Sequence, residues 1–145
     1  MNFDIKNFFL NIISFAVNPS DNAAFYINLC QNSNIFLYKI LRMKLIKSYS
    51  IDFSRGCKIG KGLKVPHPIG IVFGSGCVLG DNVTVYQNVT IGAKNGKYPK
   101  IGDNVIIYPG SVLVGEIFVG DNCVIGAMTF LDKSLDNGVV FNGKS

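Results

Sequence analysis

The chain has 145 residues, enough for one modest domain, and no linker divides it into two. Its net charge of +5 comes from scattered lysines and arginines, which argues against a nucleic-acid-binding protein. The four cysteines lack CxxC-like spacing, so no disulfide framework or metal pairing is expected, and reduced thiols indicate the cytoplasm.

The first fifty residues predict a small helical region. Residues 3–17 are rich in apolar side chains, but their uninterrupted apolar runs are too short to span a bilayer, and no A-x-A cleavage site supports secretion. Asn18 and Pro19 form a helix N-cap signal, and we predict helices over about 22–30 and 33–47. We expect this region to cover the open end of the structure that follows.

Residues 39–47 mix lysine and arginine with apolar side chains. The pattern predicts an amphipathic helix with a solvated basic face. The alternative is a peripheral membrane contact through an interfacial helix.

Residues 51–131 contain a repeat with a period of six. An aliphatic or aromatic residue recurs at every sixth position, which neither a helix near 3.6 nor a strand near 2 produces. A hexapeptide repeat is typical of a parallel β-helix, in which three hexads make one triangular coil. The residues at this position are Phe53, Ile59, Val65, Phe73, Leu79, Val85, Ile91, Ile101, Ile107, Leu113, Val119, Ile125 and Leu131.

A second inward position lies two residues earlier and holds smaller side chains. Between coils, the Gly-Asp-Asn triplets at 80–82, 102–104 and 120–122 supply residues that tolerate tight turns. We therefore predict a mainly β domain over 51–145, preceded by a short helical cap over 1–50. The smaller inward residues are Cys57, Cys77, Val83, Val89, Val105, Ser111 and Cys123.

The repeat is interrupted twice. Val65 and Phe73 are eight residues apart, and Ile91 and Ile101 are ten apart, so extra residues must leave the column at both places. Such excursions from a rigid scaffold are where function usually lies.

The first excursion holds His67, the one histidine of the chain. A lone histidine is by default a structural residue. The alternative is a general base, because His67 lies at a register break between two prolines and an imidazole suits removal of a hydroxyl proton at neutral pH. A single histidine argues against a multi-histidine zinc site, so no metal is expected.

Several motifs together resemble the serine acetyltransferase family of hexapeptide acyltransferases. Asp52 and His67 match the family's spacing of an aspartate and, fifteen residues later, a catalytic histidine. The resemblance implies a left-handed parallel β-helix and direct transfer of an acetyl group from acetyl-CoA to a hydroxyl. The motifs are Asp52-Phe53-Ser54 with Gly56, Ile59-Gly60-Lys61-Gly62, residues 66–72, Val89-Thr90-Ile91-Gly92 and Pro99-Lys100-Ile101-Gly102.

The resemblance also implies a role for individual residues. His67 would accept the hydroxyl proton and Asp52 would hold the imidazole; without the resemblance, Asp52 would be interpreted as a solvated carboxylate. Active sites of this family lie between the columns of a homotrimer. CoA would be lined through the backbone of Gly92, Ala93, Gly110, Ser111, Gly126 and Ala127, with Lys133 near its phosphates. The structural alternative for each small residue is a tight corner of the coil.

The chain departs from the family where the acceptor would bind. Pro66 replaces the carboxylate that precedes the catalytic histidine, and Lys97-Tyr98 replaces an Arg-His pair. Lysine lacks the bidentate fork of arginine, whereas Tyr98 offers an aromatic face suited to a sugar. We therefore predict a saccharide acceptor, such as a precursor of a surface polysaccharide. The alternatives are L-serine, as in cysteine biosynthesis, and a non-catalytic β-helix that serves as an assembly module.

Overall fold

The computed structural model describes residues 18–143, so the predictions made for residues 3–17 lie outside the described residues. Two helices come first, α1 (Pro19–Asn32) and α2 (Ile35–Tyr49). Asn18 caps α1 by accepting a hydrogen bond from the Ser20 N–H at 3.1 Å, and Pro19 occupies the first turn. The cap makes α1 begin three residues before its predicted start.

The rest of the described chain forms short strands on three faces of a prism. The first face holds β1 (Asp52–Phe53), β3 (Val72–Phe73), β6 (Thr90–Gly92), β9 (Val112–Val114) and β12 (Phe130–Leu131). The second holds β2 (Lys58–Ile59), β4 (Val78–Leu79), β7 (Lys100–Ile101) and β10 (Phe118–Val119). The third holds β5 (Thr84–Val85), β8 (Ile106–Ile107), β11 (Val124–Ile125) and β13 (Val140–Phe141).

Every pairing between these strands is parallel, which confirms the predicted parallel β-helix, and the architecture is consistent with left-handed winding. Both predicted sets of inward residues are buried, none more than 8% exposed. Successive coils lie about 4.8 Å apart, so side chains of similar size contact their equivalents above and below. Phe53 and Phe73, for example, pack edge to face with ring centroids 6.0 Å apart.

The Gly-Asp-Asn triplets form one corner of the prism, and each residue of a triplet has a distinct structural role. The Asp103 carboxylate accepts the Asp81 N–H of the preceding coil at 2.7 Å, and Asp121 repeats this contact for Asp103 at 2.8 Å. A Cβ at Gly80 would collide with the Asp103 side chain, so glycine admits this contact. Asn104 takes the left-handed conformation with φ 56°.

Strand pairing confirms both predicted interruptions of the repeat. Val72 pairs with Thr90, and this separation of eighteen residues is that of a regular coil. The paired residues Asp52 and Val72 are two residues further apart in sequence than in a regular coil. Thr90 and Val112 are four residues further apart than in a regular coil. The column itself stays in register because the extra residues project from its corners.

The helical region covers the first coil and satisfies its open strand edges. The Gln31 amide accepts the Ile59 N–H at 2.6 Å and donates to the Ile59 carbonyl at 3.0 Å, as a further strand would. The Tyr38 hydroxyl donates to the Phe53 carbonyl at 3.0 Å. These contacts support the predicted role of the region as a cap.

The outward side of α2 is both apolar and basic. Phe36 is 73% and Met43 55% exposed, and both lie near exposed lysines, so this face is more apolar than the predicted solvated basic face. Membrane contact stays a prediction. In residues 18–143 no helix combines the length and apolar content needed to cross a bilayer.

Neighbouring positions of β7 should differ sharply in their contribution to the free energy of unfolding. Ile101→Ala empties a buried site and should lower the free energy of unfolding by about 2–5 kcal/mol. Lys100→Ala, at the exposed position before it, should change it by less than about 0.5 kcal/mol. Urea denaturation of both variants measures the difference, and equal effects would contradict the inward assignment.

The cysteines belong to the same core. All four are free and buried, and burial raises the pKa of the Cys57 thiol to about 12 and that of Cys77 to about 11. Folding therefore holds these thiols protonated. Their contribution to stability is complete below pH 9.0, the ordinary thiol value, and declines as the pH rises towards the raised values.

We predict that a thiol reagent at pH 8 labels the native protein far more slowly than the unfolded protein, because the folded thiols are both covered and protonated. Mass spectrometry should find four labels after unfolding in guanidinium. Rapid modification of native protein would show that this part of the core is open.

Candidate active site

The two excursions leave the column at different corners. The histidine corner connects the third face of one coil to the first face of the next; it comprises residues 66–71, 86–89, 108–111 and 126–129. The arm corner connects the first face to the second face, and its residues 93–99 form the second excursion, here called the arm. Each predicted site residue can be placed relative to these corners.

His67 is exposed on the histidine corner, between half-buried Pro66 and buried Pro68. The surface around its ring also includes Tyr49 at the end of α2 and Ile69. No side chain of residues 18–143 hydrogen-bonds the imidazole, whose one ring contact is with Tyr86. The imidazole therefore keeps its nitrogen lone pair free to accept a proton.

Asp52 lies at the start of β1, where Arg42 of α2 engages it. The guanidinium donates to both carboxylate oxygens, from Nε at 2.8 Å and from Nη2 at 3.0 Å. This hydrogen bonding raises the pKa of Arg42. Within residues 18–143 no hydrogen bond joins Asp52 to His67, so the role predicted for Asp52 stays a prediction.

Four of the residues predicted to line CoA share the histidine corner with His67: Gly110, Ser111, Gly126 and Ala127. The whole of Ser111 is buried, with its Oγ 2.8 Å from the Gly126 carbonyl and its own carbonyl 3.0 Å from the Thr90 nitrogen, so its backbone contact with CoA stays a prediction. Ala127 is exposed. The thioether of Met128, a residue with φ 57°, lies directly against Gly110.

The other predicted CoA residues lie elsewhere. Gly92 ends β6 and the exposed Ala93 begins the arm, one corner away from His67. The Lys133 ammonium lies 5.2 Å from the centroid of the Phe141 ring, a cation–π contact that holds this cation near the last coil.

The arm is a tight hairpin. Lys94 and Lys97 exchange backbone hydrogen bonds at 3.0 and 3.1 Å, and Asn95 and Gly96 between them both have positive φ, as a type I′ turn requires. The Lys94 ammonium binds the Asp132 carboxylate at 2.7 Å and so holds the pKa of Asp132 below its ordinary value. The arm is therefore attached to the column at its base.

Tyr98 and Lys97, the predicted acceptor-binding residues, are both engaged within the chain. The Tyr98 ring packs against Gly74 and Gly76, and its hydroxyl lies 3.0 Å from the Ser75 Oγ. The Lys97 ammonium lies 3.2 Å from the Glu116 carboxylate, and both side chains are exposed. Packing against the two glycines takes up part of the aromatic surface that was predicted to stack on a sugar.

Four neighbours of the predicted residues were missed by the sequence analysis: Arg42, Tyr86, Glu116 and Met128. A signal existed for Tyr86, which follows Val85 as Pro66 follows Val65 and therefore lies one coil away on the same corner. No comparable signal existed for Arg42, because its contact depends on how α2 docks.

The Gln87 Oε1 on the histidine corner is buried without a hydrogen-bond partner among the described residues. Residues 18–143 contain no group of three histidine, cysteine, aspartate or glutamate residues that could hold a metal ion.

Comparison with known proteins shows which proteins the chain resembles. The family described as "Bacterial transferase hexapeptide (six repeats)" matches residues 98–133. Serine acetyltransferase of Staphylococcus epidermidis is 44% identical over 89 residues, covering 59% of this chain and 42% of that protein. The serine acetyltransferase of Staphylococcus aureus strain Mu50 is 42% identical over the same length. The chain thus spans less than half the length of these curated relatives.

Solved structures give the same picture. Serine acetyltransferase isoform 3 of Entamoeba histolytica superposes with a TM-score of 0.78 at 30% identity, over 88% of this chain and 49% of the other. The Neisseria gonorrhoeae serine acetyltransferase in complex with serine superposes with a TM-score of 0.71 at 27% identity, over 82% and 50%.

Fold and repeat define the class of hexapeptide-repeat β-helices, and residues 98–133 match the bacterial transferase hexapeptide family. Within that class the chain is serine acetyltransferase-like, which confirms the resemblance predicted from its motifs.

The ion pair between Arg42 and Asp52 should contribute little to the free energy of unfolding. Their side chains are 40% and 38% exposed, so water and salt screen the pair. A double-mutant cycle of Arg42→Ala and Asp52→Asn in urea should give a coupling below about 1 kcal/mol that shrinks at high salt. A salt-independent coupling several times larger would contradict this.

Proposed function

We propose that the chain is an acetyl-CoA-dependent O-acetyltransferase of the serine acetyltransferase type, with His67 as the general base. The observation that carries the proposal is the position of the single histidine. Its exposed imidazole accepts no hydrogen bond within the described chain and lies on the corner that also holds Gly110 and Ala127. Relatives of 44% and 30% identity named serine acetyltransferase support the same activity.

The proposed reaction is a single displacement without an acyl-enzyme. The neutral His67 imidazole takes the acceptor hydroxyl proton as that oxygen attacks the thioester carbonyl. A tetrahedral intermediate forms, its oxyanion stabilised by backbone N–H groups. It collapses with cleavage of the C–S bond, and the imidazolium returns the proton to the departing CoA sulfur. The products are an acetyl ester and free CoA.

Asp52 would support the imidazolium in this reaction. Each carboxylate oxygen retains acceptor capacity after bonding Arg42, so one oxygen could also accept a ring N–H of His67. A carboxylate in that position would stabilise the imidazolium.

L-serine, the alternative acceptor of the sequence analysis, now has more support than a saccharide. The relatives carry its name, and one solved neighbour binds serine. The Lys97–Glu116 pair lies in a surface groove with Tyr98 and offers both signs of charge that a zwitterion needs. A saccharide stays a second candidate, because Tyr98 could still offer part of its ring to a sugar.

We also infer a homotrimer with active sites between columns. His67 and the arm leave the same chain at different corners, so a site that needs both requires two copies. Four free cysteines and the use of acetyl-CoA support a cytoplasmic setting.

The assay follows thiol release from acetyl-CoA with L-serine, nucleotide sugars and oligosaccharides as separate acceptors. L-serine should give turnover, and His67→Ala should lower kcat by about 10²- to 10⁴-fold because the general base is lost. The chain should also rescue a cysteine auxotroph.

The matched control is Lys61→Ala, at an exposed side chain on another corner, which should keep full activity. Turnover with sugars but not with L-serine would show that the acceptor is a saccharide, and the proposed acetyl transfer would stand. Unchanged turnover in His67→Ala would exclude His67 as the base, and absence of turnover with every acceptor would favour the assembly-module alternative.

A further inference from the structure

A general base must present its imidazole in one orientation, because small errors in alignment reduce the rate of proton transfer. In residues 18–143 no hydrogen bond fixes the His67 ring, and the carboxylate predicted to hold it is bound by Arg42. As long as Asp52 stays bonded to Arg42, a packing contact must set the ring's orientation within the described chain.

Tyr86 makes that contact. Its ring centroid lies 6.2 Å from that of His67, with the planes tilted by 50°. Tyr108 lies on the far side of Tyr86, with centroids 5.2 Å apart and planes within 10° of parallel. One residue from each of three successive coils thus forms an aromatic column along the histidine corner.

The backbone fixes the column at several points. The Tyr86 N–H donates to the Ile107 carbonyl at 3.0 Å, and the Tyr108 N–H donates to the Ile125 carbonyl at 2.9 Å. The Asn88 N–H donates to the Ile69 carbonyl at 2.9 Å, which ties the coil of Tyr86 to the excursion that carries His67. The tyrosine rings therefore have a fixed height relative to the histidine.

We propose that Tyr86, backed by Tyr108, is a positioning residue that orients the His67 imidazole for proton transfer. The proposal rests on the proposed function, since it assigns His67 the role of base. The tilted contact is of the kind that aromatic pairs prefer, and it needs the ring of Tyr86 but not its hydroxyl.

The kinetic test compares Tyr86→Leu with Tyr86→Phe in the 145-residue chain. The leucine variant should lower kcat about 2- to 10-fold while the KM for acetyl-CoA stays unchanged, the range expected for losing one aromatic contact. The phenylalanine variant should retain wild-type kcat. Wild-type kcat in Tyr86→Leu, or an equal loss in both variants, would overturn the proposal.

A second measurement does not depend on activity. Because His67 is the only histidine, its imidazole proton resonances can be identified in the NMR spectrum without further assignment. Removal of the neighbouring ring current should shift them in Tyr86→Leu, and Tyr86→Phe should keep them near the wild-type positions. Unchanged resonances in Tyr86→Leu would overturn the proposal even if kcat fell.

Tyr108→Leu provides an independent variant, because it removes the support of Tyr86 without touching His67. It should move the same resonances by a smaller amount, and it serves as the test if Tyr86→Leu does not fold by circular dichroism. No movement would overturn the role of Tyr108. If His67→Ala keeps full turnover while the resonance shifts appear as expected, the proposed function fails and the ring contact remains.

Discussion

The stacking of equivalent side chains in a narrow shaft is the constraint on which the rest of this protein depends. Each coil can pair with the next only if its inward residues match in size and fall at the same height. The thirteen residues at the six-residue period do this, and none is more than 8% exposed. Corners are then free to vary in length, provided that the chain returns in phase.

That freedom explains where the candidate active site lies. Two extra residues lengthen the histidine corner at His67, and four extra residues lengthen the corner that carries the arm. Both excursions begin and end on strands whose positions the shaft fixes. A reactive side chain on such an excursion is positioned by the strands of the column on either side of it. Function can therefore be added to the scaffold without altering its core.

Much of the architecture could be predicted because a period of six has few physical solutions. The triplets such as Gly80-Asp81-Asn82 were also informative, since each residue has one task that few others could perform. The register breaks located His67 and the arm correctly. The start of α1 was predicted less accurately, because the Asn18 cap makes the helix begin three residues earlier than predicted.

The chemistry around the candidate site was less predictable, for a physical reason. A contact between coils, such as that of Tyr86 with His67, follows from the length of the intervening excursion and could have been found by aligning the coils. The engagement of Asp52 by Arg42 depends on the docking of a helix, which no local pattern encodes. Likewise, how much of the Tyr98 ring stays exposed depends on its packing against Gly74 and Gly76.

The hairpin form of the arm has a consequence for ligand capture. Reciprocal hydrogen bonds close its tip, the Lys94–Asp132 ion pair secures its base, and Tyr98 is seated on the column. Little conformational entropy is therefore left for the arm to lose when it meets a partner or a small molecule. If the arm binds the acceptor as proposed, such a preorganised element selects that acceptor by shape rather than by adapting to it.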